Sequence, residues 1–281
     1  MYQLTSIIEL SCILCFVSMA AILTFRFAGF PDLSVDGVFS LGAVVAARLL
    51  LAGCNIPTAI IGSIIAGALI GSVTATVAGR LKINPLLASV LILTILYTVN
   101  IRILGKANQP LYGVIGNIFK ITTVRLIILI SLSVVLSILT FLFFRTQIGS
   151  ALRCTGSSPS FLISVARNVD LYQVILVAMA GSMVATSGAL LALKYGFADV
   201  SFGTGTIIIG IASLIIGEKI CGRESLSSQI IAAPCGILIY ELIVGIALSA
   251  GISPTDVKLG TGVLTIILLA LSKNERNKLF T

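Results

Sequence analysis

The chain divides into apolar runs long enough to cross a lipid bilayer, and no other feature restricts its fold as tightly. Crossing about 30 Å of hydrocarbon takes roughly 17–25 mostly apolar residues. Runs of about that kind occupy residues 7–26, 35–52, 57–79, 83–104, 124–144, 171–193, 204–217, 230–250 and 258–271. Lipid offers the backbone no hydrogen bonds, so each run must satisfy its own amides as a helix. With 58% hydrophobic and 10% charged residues, the 281-residue chain has too little polar surface to coat a water-soluble globule. The expectation is an all-α polytopic membrane helix bundle of about eight to ten spans. It forms a single transmembrane domain over residues 1–281. The first run opens as "MYQLTSIIE", with no Lys or Arg, and reads as a retained helix rather than a cleaved signal.

Orientation follows from Lys and Arg, which collect in short cytoplasmic loops. The clearest loop, "FRTQIGSALRCTGSSPSFLISVARNVD", carries Arg145, Arg153 and Arg167 and is placed inside. Threading outward from it puts Arg80, Lys82, Lys219, Arg223 and the basic tail inside as well. Lys106, Lys120, Arg125, Lys194 and Lys258 fall on or near the outer side, against the trend. Parity places the N-terminus outside, and a broken or re-entrant second segment reverses that. The net charge of +8 is dispersed among membrane-flanking segments without interleaved aromatics, which fits membrane topology and not nucleic-acid binding. Membrane lipids are the surroundings it implies. The six cysteines are scattered in apolar sequence, and with no histidine the common zinc spacings are absent, so no metal or cofactor is expected in this chain.

A repeat links the two halves. "GFPDLSVDGVFSLG" begins at Gly29 and "GFADVSFGTGTIIIG" at Gly196. The alignment pairs Phe30 with Phe197, Asp32 with Asp199 and Ser34 with Ser201. After one inserted residue it pairs Gly37 with Gly205 and Gly42 with Gly210. The copies lie on either side of the central loop and run in opposite directions across the membrane, the inverted-repeat arrangement of many transport proteins. The first half is residues 1–144, the loop 145–170 and the second half 171–281. Glycine-rich, acid-bearing segments beside a span read as helix breaks, tolerated only where the backbone is buried or lines a wet cavity. Asp32, Ser34, Asp36, Gly37, Asp199, Ser201 and Gly205 are therefore candidates to line a translocation pathway. The structural alternative is that the acids cap the following helices, and the two roles are compatible. Glu9, Arg48, Arg102 and Glu241 also fall in or near spans. Snorkelling accounts for the two arginines.

The central loop contains a helical start, a "TGSSP" turn and a second helical run. A helix-turn-helix of that kind on a membrane core suits docking of a soluble partner. Four blocks, "FPDLSVDGVFSLGAVVAA", "YTVNIRILGKANQPLYG", "GSALRCTGSSPSFLISVARNVD" and "SGALLALKYGFADVSFGTGTIIIGIASLIIGE", together resemble permease subunits of bacterial ATP-binding cassette importers. The wider group includes branched-chain amino acid and ribose permeases. The nearest branch looks like the permeases paired with tryptophan/tyrosine-type binding proteins. The resemblance runs from about Phe30 to Glu218 with its blocks in order.

That resemblance implies a bacterial cytoplasmic membrane protein that couples to a separate ATPase through the segment 149–168. Gly149, Ala151, Leu152, Arg153, Thr155, Gly156, Pro159, Arg167 and Asn168 form the coupling loop, with Gly156 allowing a tight turn and Arg153 and Arg167 free to meet acids. Cys154, Ser157 and Ser158 stand where small or acidic residues are usual. The implied partners are an ATPase subunit that binds the ATP, a second permease copy and an extracytoplasmic solute-binding protein, with an amino acid-like solute. No G-x-x-x-x-G-K-[ST] loop is present, so the chain is expected to be a transport subunit and not an ATPase in itself. Two rivals remain. An ion-coupled secondary transporter would use Asp32, Asp36 and Asp199 as intramembrane sites. An intramembrane enzyme would need Asp32 and Asp199 as a dyad.

Overall fold

The structure is a computed structural model that describes residues 2–111, 113, 121–157, 159–164, 168–251, 256, 260, 262 and 263. Helix α1 (Tyr2–Ala21) continues into a π-helical segment, Ile22–Ala28. There follow α2 (Val35–Leu51), α3 (Ile56–Leu81), α4 (Pro85–Leu104), strand β1 (Asn108–Pro110), α5 (Thr122–Arg145), α6 (Gln147–Ser157) and α7 (Pro159–Ser164). The second half holds α8 (Val169–Tyr195), strand β2 (Phe197–Asp199), α9 (Thr206–Cys221) and α10 (Leu226–Ser249).

Among the described residues six helices of at least 18 residues are long and apolar enough to span: Leu4–Ala28, α3, α4, α5, α8 and α10. α2 and α9 hold 17 and 16 residues. At 1.5 Å per residue they reach about 25 Å, the short end of the spanning range. The expected segments at 35–52 and 204–217 are thus helices, shorter than the other six and packed inside the bundle. The expected last span, 258–271, lies outside the described residues apart from isolated positions.

Local chemistry sets the helix ends. Asn84 accepts a hydrogen bond from the Leu86 amide at 3.0 Å and Pro85 opens α4, where its missing N–H costs nothing. Gly29 (φ 60°) and Gly196 (φ 75°) close the π-segment and α8 in the left-handed conformation that glycine adopts without strain.

The centre of the bundle is α8. A Cβ at Gly42 would lie 1.9 Å from Ala185 O, at Gly67 2.3 Å from Gly181 O, at Gly71 2.3 Å from Val177 O, and at Gly188 1.9 Å from Phe39 O. Backbones of α2 and α3 therefore touch the α8 backbone, the close packing that small residues permit between membrane helices. Ser63 donates to Gly42 O at 2.9 Å and Ser187 to Ile13 O at 2.7 Å, so these two buried hydroxyls tie neighbouring helices together. α3, α4 and α5 turn rows of large apolar side chains outward, including Ile61, Leu69, Leu91, Ile95, Ile127 and Leu139. An apolar exterior of that extent belongs in lipid.

Candidate functional site

The two repeated segments fold alike. In the first, Asp32 Oδ1 accepts from the Ser34 amide at 2.8 Å and from Ser34 Oγ at 2.6 Å. In the second, Asp199 Oδ1 accepts from the Ser201 amide at 2.7 Å and from Ser201 Oγ. Each acid thus pins a turn between a glycine-terminated helix and a short interior helix. Their surroundings differ. Asp32 is 3% exposed, and Ser34 Oγ lies 3.5 Å from Thr74 Oγ1 of α3. Asp199 sits on β2, which pairs antiparallel with β1, and accepts from Asn108 Nδ2 at 3.0 Å. Burial pulls the Asp199 carboxyl up, but the Ser201 and Asn108 hydrogen bonds outweigh it and hold the pKa below its ordinary value. The charge therefore supports this loop above the ordinary carboxylate range, and that support fades as pH falls through the lowered value.

The segments also sit at opposite ends of the bundle. A Cβ at Gly29 would lie 3.2 Å from Gly156 Cα of α6, whereas the Gly196 carbonyl accepts from the Leu111 amide beside β1.

Asp36 joins the two copies. It lies in the first turn of α2, yet its carboxylate accepts from the Gly205 amide at 2.8 Å, the Ile207 amide at 2.9 Å and Thr206 Oγ1 at 2.9 Å. An acid of the first copy thus caps the helix of the second, where unpaired amides and the positive end of the dipole favour a negative charge. Ser40 reinforces the contact by accepting from the Gly203 amide at 2.9 Å. A Cβ at Gly210 would lie 3.1 Å from Val17 Cγ1, so α9 begins beside the middle of α1 and not at its end.

Beside this junction lies a cavity of about 170 Å³ lined by Asp36, Gly37, Ser40, Leu93, Tyr97, Asn100, Val200, Ser201 and Thr204. Among the expected pathway residues, Asp36, Gly37 and Ser201 line it. Asp32, Ser34, Asp199 and Gly205 do not: the first three belong to the turns, and Gly205 is the left-handed N-cap of α9. Tyr97, Asn100 and Thr204 were not singled out from sequence. An amide in the last third of the apolar run 83–104 was the available signal for Asn100.

The expected coupling segment holds two helices, α6 and α7, with Asn168 capping α8 through its Oδ1, which accepts from the Asp170 amide at 3.1 Å. Gly156 is not a turn residue. It lies in α6, and a Cβ there would sit 2.7 Å from Gly29 N and 2.9 Å from Phe27 O, so its role is backbone contact with the end of α1. Gly149 packs likewise on Phe143 O of α5. Leu152 and Thr155 are buried, while Gln147, Ile148 and Ser150 are exposed and face away from the bundle. Ala151 and Arg153 are half-buried, and Arg153 interacts within the chain, so it is not free. Pro159 opens α7, and Arg167 lies outside the described residues.

Next to this contact, Arg26 of the π-segment grips Glu218 at the end of α9 with two hydrogen bonds, one from Nε to Oε1 at 2.6 Å. Arg223 Nε lies 3.4 Å from the same carboxylate. At the opposite end Glu9, 2% exposed, accepts from Arg125 Nε at 2.8 Å and lies 3.4 Å from Lys194 Nζ. Arg125 and Lys194, which ran against the positive-inside trend, are thus partners of a buried acid.

A family model described as branched-chain amino acid transport system / permease component matches residues 3–272. The chain is 31% identical over 270 residues to a tyrosine transport system permease protein of Clostridioides difficile (strain R20291), covering 96% of this chain and 91% of that one. It is 30% identical to an uncharacterised protein of Rickettsia prowazekii (strain Madrid E), covering 97% and 98%. Among solved structures it shares its fold with PsaBC from Streptococcus pneumoniae in complex with Fab, at a TM-score of 0.55 and 15% identity over 95% of this chain and 89% of that chain.

Proposed function

The chain belongs to the branched-chain amino acid transport system / permease component family, and from that premise we propose how it transports. It is the multi-pass permease subunit of an ATP-binding cassette importer in the bacterial cytoplasmic membrane, driven by a separate ATPase. A second copy of the chain completes the membrane core, an extracytoplasmic binding protein delivers the solute, and an aromatic amino acid such as tyrosine is the cargo. Support for the cargo comes from the tyrosine transport permease to which the chain is similar.

The observation that carries the mechanism is the contact of α6 with the end of α1. Gly156 touches Gly29 and Phe27 backbone to backbone, so no flexible side chain stands between the helix that meets the ATPase and the helix it moves. From there the path divides. Arg26 holds the C-terminal end of α9 through Glu218, and the turn at Asp32 leads into α2, whose Asp36 holds the N-terminal end of α9. A push on α6 is thus delivered to both ends of α9 at once, and the interior helices tilt to alternate access between the two sides. The exposed Gln147, Ile148 and Ser150 form the ATPase-facing surface.

Co-purification in mild detergent tests the assembly. The tagged chain should bring an ATPase subunit with it and, in proteoliposomes with its binding protein, import tyrosine only when ATP is supplied. A chain that purifies alone and transports without ATP favours the ion-coupled reading, with the aspartates as its ion sites.

A further inference from the structure

Asn100 is 1% exposed and lines the cavity beside Asp36. Its Nδ2 donates to Gly37 O at 3.2 Å, but its Oδ1 has no hydrogen-bond partner. Leaving a buried acceptor unmade is costly, so such an atom in a cavity wall marks where a donor is received. Asp36 and the two serines of the lining are biased the same way. Asp36 Oδ2 receives one protein donor, the Gly205 amide, although a carboxylate oxygen accommodates two. Ser40 is engaged with Asp36 O and Gly203 N, and Ser201 with Asp199. The cavity therefore offers surplus acceptors and a negative charge.

Its size narrows the occupant. Whole-ligand pockets run to about 300–1,000 Å³, and this one holds about 170 Å³. It takes a head group, while Tyr97, 60% exposed at the mouth, leaves room for the remainder of a solute outside.

We propose that this cavity is a recognition subsite of the permease for the primary ammonium group of an amino acid-like solute, held by Asn100 and Asp36. It rests on the transport reading above and adds to it. The membrane subunit itself selects for an amine, in addition to any selection made by a binding protein.

The test uses the assembled transporter in proteoliposomes, with the six native cysteines replaced by alanine and one reporter introduced by Thr204→Cys or, separately, Tyr97→Cys. Labelling by a methanethiosulfonate reagent is timed with tyramine or with 3-(4-hydroxyphenyl)propionate, which differ in carrying an ammonium or a carboxylate. Tyramine is expected to slow labelling by about fivefold or more, and the carboxylate to leave it unchanged. Asn100→Asp keeps an acceptor and should retain the protection, whereas Asn100→Leu should lose it. Both variants remove the donor to Gly37, so a purely structural role would abolish protection in both. Protection by both compounds, by neither, or its loss in both variants overturns the proposal. Tyrosine uptake is measured on the same vesicles: failed uptake with intact tyramine protection refutes the proposed cargo and leaves the subsite standing. Normal uptake without protection refutes the subsite alone.

Discussion

Asp32, Asp36 and Asp199 occupy three different environments, and their substitutions should separate accordingly. Asp36 holds three donors of α9, and charged hydrogen bonds of this kind contribute about 1.5–3 kcal/mol each. Asp36→Asn keeps the size but loses the charge at the helix terminus, so ATP-driven uptake is expected to fall at least about tenfold while the amount of protein in the membrane changes little. Asp32→Asn and Asp199→Asn keep the oxygen that accepts from the serine amide and should alter uptake by less than about threefold. Transport and membrane yield measured side by side on the three variants give the ranking. At Gly156 the smallest possible change is informative. Alanine places its Cβ 2.7 Å from Gly29 N, so Gly156→Ala should uncouple ATP hydrolysis from uptake without preventing insertion. Coupled uptake at the wild-type rate in that variant would remove the contact from the mechanism. The recurrence of Asp–x–Ser after Gly–Phe was legible in the sequence, and so were the turns it forms. The partner of Asp36 was not, because a residue's cap on its own helix is a local pattern and a cap on a helix 170 residues away leaves no trace in spacing.

Among elements, hydropathy located the long helices to within a few residues, since a run that must satisfy its backbone in lipid has one solution. It located α2 and α9 as well, but not that these shorter helices meet end to end inside the bundle through Asp36. Composition registers burial and does not distinguish lipid from protein as the surroundings. β1 and β2, at three residues each, are too short for any periodicity, and the π-segment differs from the α-helix before it only in hydrogen-bond register. The two-ended hold on α9 gives this scale its prediction. Glu218→Gln loses the charge that Arg26 and Arg223 share, while the hold at Asp36 remains. Amide hydrogen exchange in the last turns of α9 should then accelerate about tenfold or more, with the first turn unchanged. Uniform acceleration along the helix would show that the ends are not held independently.

For the molecule as a whole, the buried charges at the far end bind together helices distant in sequence. Glu9 of α1 meets Arg125 of α5 and Lys194 of α8, 116 residues away in the first case. Removing Glu9 takes the shared carboxylate from both cations, so Glu9→Gln should lower the detergent melting temperature. Replacing Glu9 and Arg125 together should cost less than the sum of the single changes, the signature of a coupled pair. These residues entered the sequence reading as exceptions to the charge rule, and only the fold turned them into partners. Along α8 the arrangement is different, because there Gly42, Gly67, Gly71 and Gly188 bring peptide groups against peptide groups with no side chain between. A seam made that way has no rotamers to yield and no voids to close. The block of α2, α3 and α8 should therefore move as one stiff body, so that a thinner or thicker bilayer is accommodated by the helices outside it and a stroke set at one face is carried to the other.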